Sequence, residues 1–262
     1  MFARKNVAEK TSQEPEKKRE TLSESILGLV AVLVSALFVI TFVVQSFVIP
    51  SASMENTLQI GDYLLVDRLA PAPRAGYLGP LMPYREIQRG DIVVFVHPDP
   101  RQKGMYVVKR VIGVPHDRIH LRNGMVYRNG EVLNEPYVLR REGTHDDYRD
   151  EFPRFSPVGQ QGVPAWWPLL KSTNTEGEDL VIPEGDYFAM GDYREQSLDS
   201  RYWGFIPREN IIGRPMFVYW SFKTAPDELQ GTTWSERGAR WLHMVIHFFD
   251  ETRWSRVFHR VN

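Results

Sequence analysis

The chain has 262 residues, 42% of them hydrophobic and 25% charged, with a formal net charge of −1 and no cysteine. That is apolar material for one large domain or two smaller ones and argues against a wholly disordered chain. It leaves no disulfide, thiolate metal site or cysteine nucleophile, and a balanced charge without a local basic patch argues against nucleic acid as a partner.

In chain order, residues 1–25 are charged and lack apolar periodicity, which predicts a solvated tail. Ile26 to Val48, ILGLVAVLVSALFVITFVVQSFV, is a run of about 23 residues without a charge, long enough for a transmembrane helix. A cleaved signal peptide would have an apolar stretch of only about 7–15 residues before a small-x-small site. Ser51-Ala52-Ser53 has that shape, but the run is too long and the tail before it too extended, so the expectation is one uncleaved anchor in contact with membrane lipid. Arg4, Lys5, Lys10, Lys17, Lys18 and Arg19 precede the run, and no basic residue follows until Arg68. The positive-inside rule then puts the N-terminus in the cytoplasm and everything from Ile49 onward on the outer side of the cytoplasmic membrane.

From Tyr63 the chain reads as short apolar runs punctuated by glycine and proline: YLLVDRLA, DIVVFVHP, MYVVKRVIGV, RIHLRNGMVYRNGEVL, DYFAMGD and RPMFVYWSF. Asn123-Gly124 and Asn129-Gly130 are hairpin dipeptides, because both central positions of a type I′ turn need positive φ. The sheets are therefore expected to be mainly antiparallel. Arg140 to Asp179 is polar and proline-rich, with AWWPLL as its one apolar island, and reads as an insertion or long loops. Trp166-Trp167 there suits either lipid headgroups or a local core. Arg237 to His259 has helical spacing of Trp241, Val245 and Phe248-Phe249 and reads as an amphipathic or interfacial segment. His243 and His247 are spaced i, i+4, but Met244 stands where a zinc motif needs glutamate, so no metal is expected. No internal repeat is visible.

Three stretches offer chemistry. Ser51 and Ser53 directly follow the apolar run. A serine hydroxyl needs a base before it can attack, and without one these are turn residues. His97 or His120 could complete a Ser-His-Asp triad, though nothing around them marks one. Lys109 sits in a strand with valines on both faces, sharing one with Val107 and Val111 while Val108, Arg110 and Ile112 take the other. Burial lowers a lysine pKa, so this amine is a candidate general base; the competing reading is a lysine whose stem snorkels to water. The third stretch is Met190 to Phe205, where Asp199 and Arg201 can pair in extended chain, Asp192 and Arg194 repeat that spacing, and Ser197 offers a hydroxyl that could orient an amine. Taken alone it is a solvated turn held by exposed ion pairs.

Together these stretches resemble the type I signal peptidases, membrane-anchored serine proteases that remove signal peptides from exported proteins. PSASMENTL resembles that family's nucleophile box, GDIVVF its substrate-lining strand, YVVKRVIGVPHD its lysine box and MGDYREQSLDSRYWGFIP its aspartate-serine-arginine box. They run in order from Pro50 to Pro207, behind the anchor. The resemblance implies Ser53 as nucleophile and Lys109 as general base, with no histidine, metal or cofactor. It also implies Ser51 and the Ser53 N–H as oxyanion donors, Ser197 as orienter of the amine, and Asp199 and Arg201 as structural supports. It implies a mainly β fold in which the transmembrane helix precedes an antiparallel-β catalytic core, residues 49–117 and 181–262, with a second β domain inserted at 118–180. The implied partners are signal peptides of secreted precursors, cut after small residues by a monomer. Asp91–Val96 and Tyr106–Val108 would line the groove; Ile49, Met54 and Leu58 are candidates to line it or to lie near the membrane, with ordinary core packing as the competing reading. Two positions depart from the family pattern: Tyr193 stands for the usual asparagine, and His116 for a turn glycine. An anchored binding scaffold without catalysis, or a self-cleaving serine-lysine protease, are the alternative readings.

Overall fold

The apolar run that predicts one helix over 26–48 folds as two kinds of element. The computed structural model describes residues 22–69, 85–141, 143, 145–230 and 233–261; the basic tail residues Arg4, Lys5, Lys10, Lys17, Lys18 and Arg19 lie outside them. A helix covers Leu22–Phe38 and widens into one π-type turn at Val39–Val43. Its apolar side chains, Leu27 and Val32 among them, are exposed, and Ser23–Thr41 is long and apolar enough to cross a membrane. Val44–Val48 is instead a strand, β1. Its partner decides this: it pairs antiparallel with β2 (Asp62–Asp67), from Val44 opposite Asp67 to Val48 opposite Tyr63. β-Branched residues suit strand and membrane helix alike, so composition alone does not separate the two.

The remaining strands in chain order are β3 (Ile92–Val96), β4 (Tyr106–Gly113), β5 (Arg118–Arg122), β6 (Met125–Arg128), β7 (Glu131–Val132), β8 (Thr175–Glu176), β9 (Asp179–Val181), β10 (Asp186–Met190), β11 (Ile206–Pro207), β12 (Ile211–Ser221) and β13 (His259–Arg260). They form two antiparallel sheets. One runs β1-β2-β12-β3-β4-β10-β11, with β13 also on β12, and the other β7-β6-β5-β9-β8. Asn123 and Gly124 have φ of 50° and 72°, and Asn129 and Gly130 φ of 54° and 83°, the left-handed pairs that tight β5–β6 and β6–β7 hairpins require. The fold is thus mainly antiparallel β behind an N-terminal apolar helix.

The central strands are apolar on both faces because each face meets a different core. Ile92 and Val94 of β3 and Val108 of β4 pack with Ile49, Met54, Leu58 and Leu64. Val93, Phe95, Val107 and Val111 pack with Tyr187, Ala189 and Trp203. The interval expected as an insertion carries the second sheet, whose Ile119, Leu121, Val126 and Leu180 share a third core with Ile112, Phe188 and Met190 of the first. Ile40–Asn262 accordingly form one unit. The AWWPLL island opens a short helix, Trp167–Thr173; Trp167 is buried in that third core, and its indole N–H donates to the Arg201 carbonyl at 3.2 Å. The C-terminal helix runs Trp234–Ile246, shorter than its apolar spacing suggests, and starts at a Thr233/Glu236 capping box.

Candidate active site

Ser51 and Ser53 lie in the connection from β1 to β2. Ala52–Met54 makes one tight 3₁₀ turn closed by Glu55 N–H on the Ala52 carbonyl at 2.8 Å. Met54 and Leu58 anchor the turn in the core and leave Ser51 exposed and Ser53 buried. Beyond it Gly61 takes φ of 84°, and a β-carbon there would stand 2.1 Å from the Phe222 carbonyl oxygen, so only glycine fits. Asp62 is buried and accepts from Ser221 Oγ at 2.6 Å, from Gln59 N–H at 2.8 Å and from Arg256 at 2.5 Å. Arg253 donates to the Ile60 carbonyl at 2.8 Å and Arg256 to that of Thr57 at 3.0 Å. These C-terminal arginines tie down the serine turn from afar; the sequence signals them only as charges in a segment read as amphipathic. The two serine hydroxyl oxygens are 3.4 Å apart, longer than a good O–H···O bond, so neither is locked to the other.

Lys109 is central in β4, opposite Val93, and only 3% exposed. Loss of water brings its pKa from an ordinary 10.5 down to about 8, even though Asp199 pulls it upward; Arg201 pushes the same way as burial, and Asp192 opposes. The carboxylates do not prevail because each is already engaged by an arginine. Asp199 accepts Arg201 Nε at 2.8 Å and Nη2 at 2.7 Å, a buried bidentate pair. Burial works to raise the Asp199 pKa, but the Arg201 guanidinium outweighs it and holds the carboxyl low. Asp192 accepts Arg110 Nε at 2.9 Å and Nη2 at 2.8 Å.

The Met190–Phe205 stretch is therefore not a solvated turn. Asp192 pairs with Arg110 rather than Arg194, and Arg194 pairs with Glu135 at 2.5 Å, all of them buried or nearly so. Buried long-range pairs replace the exposed local ones because Arg110 comes in from β4 and Glu135 from beyond β7. Arg201 also donates to the Arg194 carbonyl at 2.9 Å, and Gly191 N–H to Asp199 at 3.1 Å. Ser197 is buried, and its Oγ has no hydrogen-bond partner among the described residues. Tyr193 bridges to Leu139. His116 takes φ of 69°, the left-handed turn its position implies, with Glu184 on its ring at 2.6 Å.

Ser51, Ser53 and Lys109 line one cavity of about 380 Å³. Tyr106, Val107, Val108, Ile49 and Met54 line it too, whereas Leu58 is core and no residue of Asp91–Val96 reaches it. β3 lies behind β4 there, its apolar side chains buried in the two cores on either side of the sheet. Gln196, Leu198 and Trp203 of the Met190–Phe205 stretch also line it, though the sequence does not single them out there, and so does Gly162, which comes from a distant loop and carries no signal in the sequence. His97 is in the same cavity, edge-on to Trp203. Its Nδ1 accepts the Asp99 backbone N–H at 3.1 Å, and the Asp99 carboxylate is taken by Arg101 at 2.6 Å, so no aspartate-oriented imidazole is formed. Burial also keeps His97 below its usual pKa. His120 stacks on Tyr127 and bonds Asp179 at 2.6 Å, in the second sheet. His243 and His247 pair with Glu251 and Asp250, both at 2.9 Å, at the surface.

Comparison with known proteins places the chain in a family. Residues 22–220 match the family described as signal peptidase, peptidase S26. The chain is 31% identical over 245 residues to signal peptidase I of Aquifex aeolicus, across 81% of this chain and 91% of that one. It is 32% identical over 231 residues to signal peptidase I of Pseudomonas aeruginosa, across 82% and 77%. A crystal structure of a signal peptidase I from Enterococcus faecalis is 28% identical, with a TM-score of 0.31, covering 50% of this chain and 97% of that chain.

Proposed function

Since the chain belongs to the signal peptidase family, and is thus a serine endopeptidase that removes signal peptides from secreted precursors, we propose that Ser53 is its nucleophile and Lys109 its general base. The observation that carries the assignment is a lysine amine buried to a pKa of about 8 in the cavity that Ser53 lines. At neutral pH roughly a tenth of such an amine is uncharged, against less than one part in a thousand for an ordinary lysine. Ser53 Oγ attacks the scissile carbonyl while Lys109 Nζ takes its proton. The Ser51 hydroxyl, free of a tight bond to Ser53, and the Ser53 N–H donate to the oxyanion. The protonated amine then gives its proton to the departing amine nitrogen, leaving an acyl-enzyme on Ser53. Lys109 next deprotonates a water that hydrolyses the ester. Ser197, whose hydroxyl has no partner among the described residues, orients the amine once substrate fills the cavity, and Asp199 and Arg201 support the site.

Val107 and Val108, with Met54, make shallow apolar walls that suit small side chains before the cut. The helix Leu22–Phe38 anchors the chain by a single crossing of the cytoplasmic membrane, with the basic tail inside and the catalytic part outside, and the chain acts as a monomer. Cleavage of a synthetic precursor with alanine at both small positions tests the dyad. Wild type is expected to cut it, and Ser53→Ala and Lys109→Met are expected not to. Retained cutting by either variant removes the mechanism.

A further inference from the structure

The helix Trp234–Ile246 turns its apolar face to the outside. Thr233 Oγ1 accepts Glu236 N–H and the Glu236 carboxylate accepts Thr233 N–H, so the helix is capped and formed. One side rests on the protein through Met244, which receives the Tyr63 hydroxyl at 3.7 Å. At about 100° per residue, Trp234, Trp241, Leu242, Val245 and Ile246 gather on the other side, and Phe249 follows in the turn beyond the helix. All are exposed, Trp241 by 62%, Val245 by 70% and Phe249 by 79%. A domain surrounded by water rarely leaves such a patch uncovered.

Three observations identify what covers it. Only Phe42 and Val43 stand between Thr41, the end of the stretch able to cross a membrane, and β1. A bilayer is therefore always within reach of the folded unit, at an effective concentration no diffusing partner matches. The helix also joins the sheet level with the serine turn. Val48 lies opposite Tyr63 and Tyr63 opposite Trp220, whose ring stacks on Tyr63 at 5.0 Å and meets Phe248 at 6.0 Å. With neighbouring strands ~4.8 Å apart, Trp220 stands about 10 Å from the Val48 backbone. At the cavity mouth, Val48, Met105, Tyr106 and Leu198 are themselves exposed. Finally, tryptophans and aliphatic residues on one face, with Arg237 lying over the Trp234 ring at 5.7 Å, is the make-up of a helix lying in a headgroup layer.

We propose that Trp234–Ile246 lies in the interface of the bilayer the chain crosses, its apolar face among the acyl chains, holding the cavity mouth where a membrane-inserted precursor presents its cleavage site. Docking of the helix does not depend on which residues perform the cleavage. Because the chain has no cysteine, single thiols can be introduced into the full-length protein. Val245→Cys on the apolar face and Glu131→Cys at the tip of the β6–β7 hairpin are each labelled with nitrobenzoxadiazole in phosphatidylcholine–phosphatidylglycerol vesicles. The label at 245 is expected to shift to the blue, lose quenching by aqueous iodide and gain quenching by lipids carrying a shallow doxyl group. The label at 131 stays open to iodide. Equal iodide access at the two sites overturns the proposal. Shielding without doxyl quenching, or shielding lost on dilution into excess lipid, also overturns it and assigns the face to a second copy. Val245→Glu combined with Phe249→Glu is expected to slow cleavage of a membrane-inserted precursor and to leave cleavage of a soluble precursor peptide unchanged. Equal effects on the two substrates overturn the proposed placement of the cavity.

Discussion

The carbonyl oxygen of Ser53 accepts the backbone N–H of Tyr193 at 3.1 Å, so the serine turn is bonded to the very loop that carries Ser197, Asp199 and Arg201. Two segments far apart in sequence thereby share one backbone contact, and the position of the hydroxyl is set by both. Tyr193, which departs from the family pattern in its side chain, contributes here through its main chain, which any residue but proline supplies.

Gly191 sits inside that contact. A β-carbon at this position would stand 2.4 Å from the Ser53 carbonyl oxygen and 2.3 Å from Ser197 Oγ. Gly191→Ala is expected to cost about 1–3 kcal/mol of stability through overpacking and to lower kcat by more than tenfold, because both hydroxyls are displaced. Denaturant titration and precursor cleavage measure the two effects; full activity in the variant would show that the contact is not needed.

Lys109 gives a signed dependence on pH. Its amine must be uncharged to accept a proton, so kcat/KM is expected to rise through an acid limb near pH 8, following a group lowered from 10.5 to about 8 by burial. The unfolded chain holds this proton more tightly than the folded one. The group therefore costs stability fully below pH 8, and that cost fades as pH rises toward 10.5. Lys109→Met is expected to be inactive yet more stable at neutral pH by on the order of 3 kcal/mol, an advantage that shrinks across the same window. Thermal unfolding at two pH values checks it.

Asp199→Asn removes a charge that raises the Lys109 pKa while leaving Arg201, which lowers it. The acid limb of the variant is expected to move to lower pH. Breaking a buried pair costs about 3–5 kcal/mol, so the profile is recorded at reduced temperature where the variant is folded. A limb that stays in place would show that Asp199 does not sense the amine.

Ser197 Oγ is buried without a partner among the described residues. Removing an unsatisfied hydroxyl relieves a penalty of about 1–3 kcal/mol and leaves a methyl-sized void. Ser197→Ala is expected to unfold at the same temperature as wild type or above it, while kcat falls and KM holds. Unchanged kcat would take Ser197 out of the site.

His116 occupies a left-handed turn, φ 69°, where a β-carbon costs about 1–2 kcal/mol and glycine loses about 0.5–1 kcal/mol of chain entropy. His116→Gly is expected to be neutral or up to about 1 kcal/mol more stable with activity intact; calorimetry together with cleavage decides it.

What could be read from the sequence was what neighbouring residues determine. Asn123-Gly124 and Asn129-Gly130 announced their hairpins because the turn constrains those residues directly. The doubly apolar Tyr106–Gly113 announced a buried strand, and so a desolvated Lys109. What stayed hidden depends on distant partners. Val44–Val48 is a strand only because β2 lies beside it. Arg110 and Asp192 are charges of no evident address until β4 and the loop after β10 meet. Arg256 looks like a surface residue until Asp62 is seen to be buried against it.

β12 serves two partners, pairing with β3 near Ile211 and Gly213 and with β2 from Arg214 onward. At the crossover a β-carbon on Gly213 would stand 2.3 Å from the Asp67 carbonyl oxygen, and Pro215 donates no ladder bond. Ser53 belongs to the β1–β2 arm and Lys109 to the β3–β4 arm, so this one strand works like the pivot of a calliper whose jaws are an alcohol and an amine. A sequence change at the pivot can widen or narrow the gap while both jaws keep their identity, giving evolution a way to retune reactivity without touching a reacting group.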